Sequence, residues 1–365
     1  MKVPFLNLGA QYRSVEADLR AAIDRILSTH IYVLGPEVQA LENEVAALCN
    51  VRCGIGVSNG SDAIVAALMA LDVGPGDEVI VPAFTFFATA ASVSRVGAKP
   101  VFVDILPDTF NIDPAAIEAA ITGRTRAIIP VHLYGQCADM ARIMAIADKK
   151  GIAVIEDAAQ AIGATFNDRP SCSFGRAGTL SFYPTKNLSA IGEAGMVLTD
   201  DEKLAETLRI VRLQGQGSTY EHIRLGANFR MDAIQGAALR VKLTKLAEWN
   251  HKRRTNAARY DAALDGSVVT PPPVDPRCQH VYHQYTVRCA KRDPLRAYLA
   301  DAGVSCAVFY PTPLHLQPCF RELGYKPGAL PVAEQAGKEV LSLPIFPEMT
   351  EEQQKYVIEA IKSFG

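Results

Sequence analysis

Residues 179–195, TLSFYPTKNLSAIGEAG, are the stretch around which the chain is organised. Leu180, Phe182 and Tyr183 read as a strand that runs into the turn-prone pair Pro184-Thr185. Lys186 follows, then Gly192, Ala194 and Gly195, then a second strand-like run, MVLT at 196–199. A lysine held between two short buried strands is unusual, because burying an ammonium without a partner is costly. Two readings follow. One is a surface lysine in a loop. The other is a lysine whose amine forms a Schiff base with a carbonyl compound. The choice rests on what the neighbouring segments supply.

Schiff-base lysines commonly anchor pyridoxal phosphate, which needs a partner for its ring nitrogen, a cup for its phosphate and a flat wall for its ring. AVIEDAAQ at 153–160 is a short apolar run after Gly151, hence a buried parallel strand. It delivers Asp157 at its carboxyl end, where a carboxylate would keep a pyridinium protonated; a helix cap is an equally good reading of that residue alone. SNGSDA at 58–63 follows a strand-like 53–57 and opens an apolar helix. Backbone N–H groups at a helix start form an anion site, here at Gly60 and Ser61 with the Ser61 hydroxyl added. FTFF at 84–87 offers Phe86 as the ring to stack, against the plain alternative of ordinary core.

From residue 53 to about 155 strands and helices alternate, with strands near 53–57, 78–82, 99–103, 126–131 and 152–156. That rhythm predicts an α/β fold, a three-layer α/β/α large domain with a mostly parallel sheet covered on both faces. Ligands in such sheets gather outside the carboxyl ends of the strands, where Ser61, Phe86 and Asp157 fall. Helical periodicity covers 14–30 and 36–49, and one long helical stretch spans roughly 232–262. Pro271-Pro272-Pro273 is a stiff linker. Beyond it, strands at 285–289 and 304–309 and helices near 293–302, 331–341 and 350–363 describe a smaller α+β domain. The expected division is 1–250 for the large, cofactor-binding domain and 251–365 for the small one.

Together and in order, these segments resemble the sugar aminotransferases of the DegT/DnrJ/EryC1/StrS family. The likeness runs through PFLNL, YVLGPEV, SNGSDA, GPGDEVIVPAFTFFATA, VFVDI, IIPVHLYGQCADM, VIEDAAQAIGA, SFYPTKN, LGANFRMD and YPTPLHLQP, nearly the whole chain. The resemblance implies the aspartate aminotransferase type of fold and pyridoxal 5′-phosphate as cofactor. It makes Lys186 the anchor and proton-moving base and Asp157 its catalytic partner on the ring. Cofactor contacts carried over with it are Gly60, Ser61, Phe86, Gln160 to the ring oxygen and Ser181 to the phosphate. Asn228, in GANFRMD, is matched to an asparagine that reaches the neighbouring subunit's phosphate, which implies a homodimer with composite sites. Tyr183, Arg230, Tyr310 and His315 are the expected substrate contacts, and for Arg230 a surface salt bridge is an equal alternative.

The substrates implied are a nucleotide-linked keto-sugar and L-glutamate. Family members that resemble YVLGPEV at 32–38 tend to aminate C3 of the sugar. GQCAD and RPSC, at 135–139 and 169–172, resemble the enzymes that aminate UDP-linked 3-keto-uronic acids for O-antigen sugars. A dTDP-3-keto-6-deoxyhexose is the alternative, and Phe309, where the family often carries a histidine, weakens the first choice more than the second. Two rivals of other classes are a dehydratase, in which histidine replaces the lysine, and a non-catalytic regulator, which has no need of Lys186, Asp157 and Ser181 together.

Composition suggests one large domain plus a smaller one. With 365 residues, 49% of them apolar, the chain can bury a sizeable core. A formal charge of −2 makes no electrostatic case for nucleic acid or an anionic membrane. Residues 1–25 lack a signal peptide's apolar core, and no apolar run approaches a membrane span. The eight cysteines are dispersed with neither a CxxC pair nor zinc-type spacing, so free thiols in a cytoplasmic, metal-free protein are expected.

Overall fold

The computed structural model describes residues 1–364. Seven strands form the central sheet: Cys53–Val57 (β1), Glu78–Pro82 (β2), Lys99–Val103 (β3), Thr125–Ile128 (β4), Ala153–Asp157 (β5), Ala177–Ser181 (β6) and Gly195–Thr199 (β7). Their order is β1-β7-β6-β5-β4-β2-β3. Neighbours from β6 to β3 run parallel, and β7 alone is antiparallel to the strands on either side of it. The α/β layering expected from the strand–helix rhythm is present.

Side-chain alternation shows why the sheet has two cores. Successive residues of a strand point to opposite faces. Val79, Val81, Ala127, Ile129, Ile155 and Val197 join the core under the helices Gly60–Ala70 and Glu202–Arg212. Their neighbours Ile80, Ile128, Val154, Met196 and Leu198 join the opposite core, with Val38, Leu41 and Val45 of Pro36–Leu48 and Met140, Ile143 and Ala147 of Met140–Lys150. Apolar residues at consecutive positions are what a strand covered on both faces requires.

The smaller unit has its own core. Tyr285–Arg288 (β8) pairs antiparallel with Val340–Leu343 (β9), covered by Arg292–Asp301 and Glu351–Phe364. Val3 belongs to that core and bridges Val304, so the first residues of the chain pack with its last hundred. The division expected at residue 250 falls inside the helix Leu246–Leu264. Leu246 packs with the sheet, while Ala257, Tyr260 and Leu264 pack with the small core.

Two expectations are corrected. The long helix expected over 232–262 is two helices, Ala233–Leu243 and Leu246–Leu264. At the break the Thr244 hydroxyl donates to the Val241 carbonyl at 2.7 Å, a side-chain bond that competes with helical pairing. Residues 304–309 form no strand: only Val304, with Val3, and Ala307, with Ser342, make bridges. The two prolines that follow, Pro311 and Pro313, remove the donors with which a ladder would continue. Among the described residues no helix is long and apolar enough to cross a membrane.

Candidate active site

A cavity of about 880 Å³ opens at the carboxyl ends of the parallel strands. Asp157, the last residue of β5, is nearly buried there. Its Oδ2 accepts from the Thr89 hydroxyl at 2.8 Å and its Oδ1 from the Ala159 N–H at 3.2 Å. Thr89 sits in the first turn of Phe87–Arg95, whose cap is Phe86. Phe86 is 56% exposed, and its ring stands 6.2 Å from Tyr310 on the cavity wall. An aromatic face that open, beside a buried carboxylate, suits a planar heteroaromatic ring.

The phosphate cup is made by close approach. The helix Gly60–Ala70 is capped by Asn59, whose Oδ1 accepts from the Asp62 N–H at 2.9 Å. That leaves the N–H groups of Gly60 and Ser61 aimed out of the helix start, where the dipole favours an anion. Gly60 lies against the end of β6 so closely that a Cβ on it would stand 2.5 Å from the Ser181 Cβ. Gly195 is pressed in the same way on the other side, where a Cβ would come within 2.4 Å of the Asn59 carbonyl carbon. Neither position has room for a side chain, and the helix start and the Ser181 hydroxyl are thereby held together.

Lys186 lies in the turn between β6 and β7, its N–H bonded to the Tyr183 carbonyl at 2.8 Å. Its side chain lines the cavity with Asp157. Burial pushes the Lys186 ammonium down to about 8, and the nearby Asp157 charge opposes that shift. A lysine with that tendency is a usable amine near neutral pH. Gln160 turns its Oε1 away from the cavity to accept the Tyr134 N–H at 2.6 Å. Its Nε2 donates to the Tyr310 hydroxyl at 3.3 Å, which leaves the amide able to donate into the cavity.

Nine of the residues expected from the sequence line this one cavity: Gly60, Ser61, Phe86, Asp157, Gln160, Ser181, Tyr183, Lys186 and Tyr310. Three do not. His315 is a correction: it is buried in a short 3-10 turn, its Nε2 paired with the Glu334 carboxylate at 3.1 Å and its ring packed edge-on to Tyr325. A histidine spent on that contact is a support for the wall rather than a substrate contact from within it. Asn228 is exposed and Arg230 half-buried, on a segment that bridges the end of Glu202–Arg212 through Leu213–Asn228 and the end of β1 through Val57–Arg230. The Phe229 carbonyl between them accepts the Ser58 N–H at 3.0 Å, so the segment backs the phosphate cup from outside.

Other lining residues escaped the sequence reading. Thr89 supports Asp157 from the first turn of the helix that Phe86 caps. Phe5 and Phe309, with rings 5.9 Å apart, close one wall. Arg253 and His283 lie beyond Lys186, contributed by segments more than sixty residues downstream. Behind the site, fully buried, Glu156 accepts from His132 and from three backbone N–H groups.

An amine of lowered basicity, a carboxylate for a ring nitrogen, an open aromatic face, two free N–H groups with a serine hydroxyl, and a cradle too tight for a Cβ together fit pyridoxal 5′-phosphate (PLP). The model of the DegT/DnrJ/EryC1/StrS aminotransferase family matches residues 13–362. A "pleiotropic regulatory protein" of Geobacillus stearothermophilus is 54% identical over 100% of this chain and 99% of its own. The UDP-2-acetamido-2-deoxy-3-oxo-D-glucuronate aminotransferase of Pseudomonas aeruginosa is 44% identical, covering 98% and 99%. A dTDP-3-amino-3,4,6-trideoxy-α-D-glucose transaminase of Streptomyces venezuelae is 43% identical, covering 100% and 96%. The crystal structure of S. venezuelae DesV has a TM-score of 0.97 at 43% identity, covering 100% of this chain and 98% of that one. Solved relatives hold the cofactor in its PLP and PMP forms. The chain belongs to the DegT/DnrJ/EryC1/StrS aminotransferase family: it is a PLP-dependent sugar aminotransferase.

Proposed function

We propose that this enzyme moves an amino group from L-glutamate to C3 of a nucleotide-linked keto-sugar, a UDP-3-keto-uronic acid first, in the making of amino sugars for a surface polysaccharide such as O-antigen. The observation that carries it is that Lys186, Asp157 and the cup of Gly60, Ser61 and Ser181 line one cavity. Support for C3 comes from the two transaminases compared above, whose names both place the reacting group at position 3. Bound there, PLP supplies an electron sink that holds the amino group between the two half-reactions.

The chain's own residues do the rest. Lys186 would hold the cofactor, and when released its amine would take the proton from Cα of the donor in the first half-reaction and deliver a proton to the sugar carbon in the second. Asp157, fixed by Thr89 and the Ala159 N–H, keeps the ring nitrogen protonated. Gly60, Ser61 and Ser181 hold the phosphate, and Gln160 donates to the ring oxygen. Phe86 covers the ring face, and Tyr183 and Tyr310 orient the sugar. Asn228, exposed beside the cup, serves the phosphate of a second copy, so the working form is a homodimer in the cytoplasm.

A second reading, a dTDP-3-keto-6-deoxyhexose as acceptor, is favoured by the paired, tilted rings of Phe5 and Phe309 on the cavity wall, since an apolar wall suits a methyl group better than a carboxylate. A dehydratase is disfavoured by Lys186 itself. A purely regulatory role would leave the low-basicity lysine and its carboxylate unused. The test is a panel of UDP- and dTDP-linked 3-keto and 4-keto sugars with L-glutamate, read by mass of the amino sugar formed. Product from the UDP-3-keto-uronic acid is expected. Product from 4-keto sugars alone overturns the C3 assignment, and no product from any of them overturns the reading.

A further inference from the structure

His283 lines the cavity beside Lys186, and its hydrogen-bond surroundings fix where its proton sits. The Asn250 Nδ2 donates to the Ile162 carbonyl at 3.1 Å, which turns its Oδ1 toward Asn187. The Asn187 Nδ2 donates to that Oδ1 at 2.8 Å and to the Val281 carbonyl at 3.0 Å. Both partners of that amide nitrogen are acceptors, so the Asn187 Oδ1 must be the atom facing the His283 Nδ1, at 3.2 Å. A carbonyl oxygen accepts, so Nδ1 carries the hydrogen and Nε2 is a bare lone pair. Among the described residues no donor reaches Nε2.

The backbone under this ring is tied down. Arg253 donates through one nitrogen, Nη1, to the carbonyls of Tyr282 at 3.0 Å, His283 at 3.3 Å and Ile345 at 3.0 Å. The residue that fixes the ring, Asn187, directly follows Lys186 in the chain. Burial, reinforced by the charges of Lys186 and Arg253, holds His283 well below the usual histidine range. The ring therefore stays neutral and cannot repel an ammonium beside it.

We propose that His283 is a positioning residue for Lys186: its Nε2 accepts one hydrogen of the released lysine amine and so aims the amine's lone pair at the carbon whose proton it moves. This rests on the transaminase reading above. A freed lysine has four rotatable side-chain bonds, and a single acceptor at the right place removes much of that freedom before the proton transfer. The acceptor works without taking the proton, because a histidine of depressed basicity is a poorer base than the lysine it holds. The amide relay from Ile162 through Asn250 and Asn187 gives the ring one tautomer, and the other would present a donor to the amine.

The test compares His283→Phe, which keeps the ring shape without an acceptor, with His283→Gln, which restores a side-chain oxygen. In the holoenzyme, the half-reaction with L-glutamate is followed by loss of the visible band. His283→Phe is expected to slow it about 10- to 100-fold with little change in the glutamate concentration for half-saturation, and to raise the isotope effect of 2-deuterated glutamate. His283→Gln is expected to recover most of the loss. A readout free of turnover is the pH dependence of aldehyde labelling of Lys186 in the cofactor-free protein. Losing an acceptor for the ammonium shifts the midpoint to lower pH in His283→Phe, and His283→Gln shifts it back. Equal damage from both variants, or an unmoved midpoint, overturns the proposal. If His283→Phe does not fold, ¹⁵N shifts of histidine-labelled wild-type protein decide: a proton on Nε2 of His283 refutes the tautomer on which everything rests. Failure of the transaminase reading looks different, as no amino donor then bleaches the band in wild type while the labelling shift persists.

Discussion

Glu156 is the residue whose replacement tests the packing behind the site most directly. It is fully buried. Its Oε1 accepts from the Phe174 N–H at 2.7 Å and the Gly175 N–H at 2.9 Å. Its Oε2 accepts from the Cys172 N–H at 2.8 Å and faces the His132 Nε2 at 2.9 Å. The His132 Nδ1 accepts the Ala138 N–H at 3.1 Å, so its Nε2 bears the hydrogen and donates. Four donors and no acceptor surround this side chain, an arrangement only a carboxylate satisfies. In Glu156→Gln the amide nitrogen, whichever way it turns, faces two donors. Two bonds are lost and buried N–H groups are left without partners, at about 1–3 kcal/mol each and toward the upper end for bonds to a charge, or ~3–6 kcal/mol in all. Against a total stability of about 5–15 kcal/mol that is a severe loss. The single tryptophan, Trp249, is buried and reports unfolding. A urea titration followed by its fluorescence should show the midpoint falling by about 1–2 M. A fall equivalent to less than about 1 kcal/mol would refute the four-donor reasoning.

Three further outcomes are expected. Gly60→Ala places a Cβ 2.5 Å from the Ser181 Cβ and 3.1 Å from its Cα, atoms that cannot swing away, so the helix start must shift. Titration of the cofactor-free variant with PLP should show affinity at least ~10-fold lower, about 1.4 kcal/mol, with circular dichroism unchanged; unchanged affinity would remove the cup from Gly60. Lys186, lowered to about 8 by burial against the pull of Asp157, should react with an aldehyde in the cofactor-free protein with a midpoint near that pH, well below the ~10.4 of a free lysine. Because Asp157 opposes the shift, Asp157→Asn should move the midpoint lower still, and a move upward would contradict the assigned sign. Lys186→Ala and Asn228→Asp, each inactive alone, should regain activity when their subunits are exchanged, since one site of the mixed dimer carries both parental residues; an inactive mixture with proven exchange would confine Asn228 to its own chain.

What could be read from the chain and what could not divide along a physical line. β2 and β7 are apolar at almost every position because both their faces are covered, so their existence is written locally. The parallel order follows from helices between strands, and it sends Ser61, Phe86 and Asp157 to one edge before any contact is known. Lys186 was legible for the same reason, as the turn between two strands must return to that edge. His315 was misplaced because a motif fixes the order of residues along a segment and not which of them faces the cavity. There Tyr310 took the wall and His315 turned to Glu334, nineteen residues on. The break at Thr244 hung on one hydroxyl choosing a backbone carbonyl, a competition of about 1 kcal/mol that periodicity does not register.

The groups that touch Asp157 and the ring of His283 were the least legible, and the distances along the chain say why. Thr89 meets Asp157 across 68 residues, His283 meets Asn187 across 96, and Asn187 meets Asn250 across 63. No local pattern connects such pairs, because each is made by packing one finished element on another. These contacts also carry direction, from donor to acceptor, which residue identity alone leaves open for asparagine and histidine. A lysine in a turn between two strands and an aspartate at a strand end announce the cofactor. The amide relay beside that lysine and the threonine hydroxyl on that aspartate are brought into line only by the folded chain.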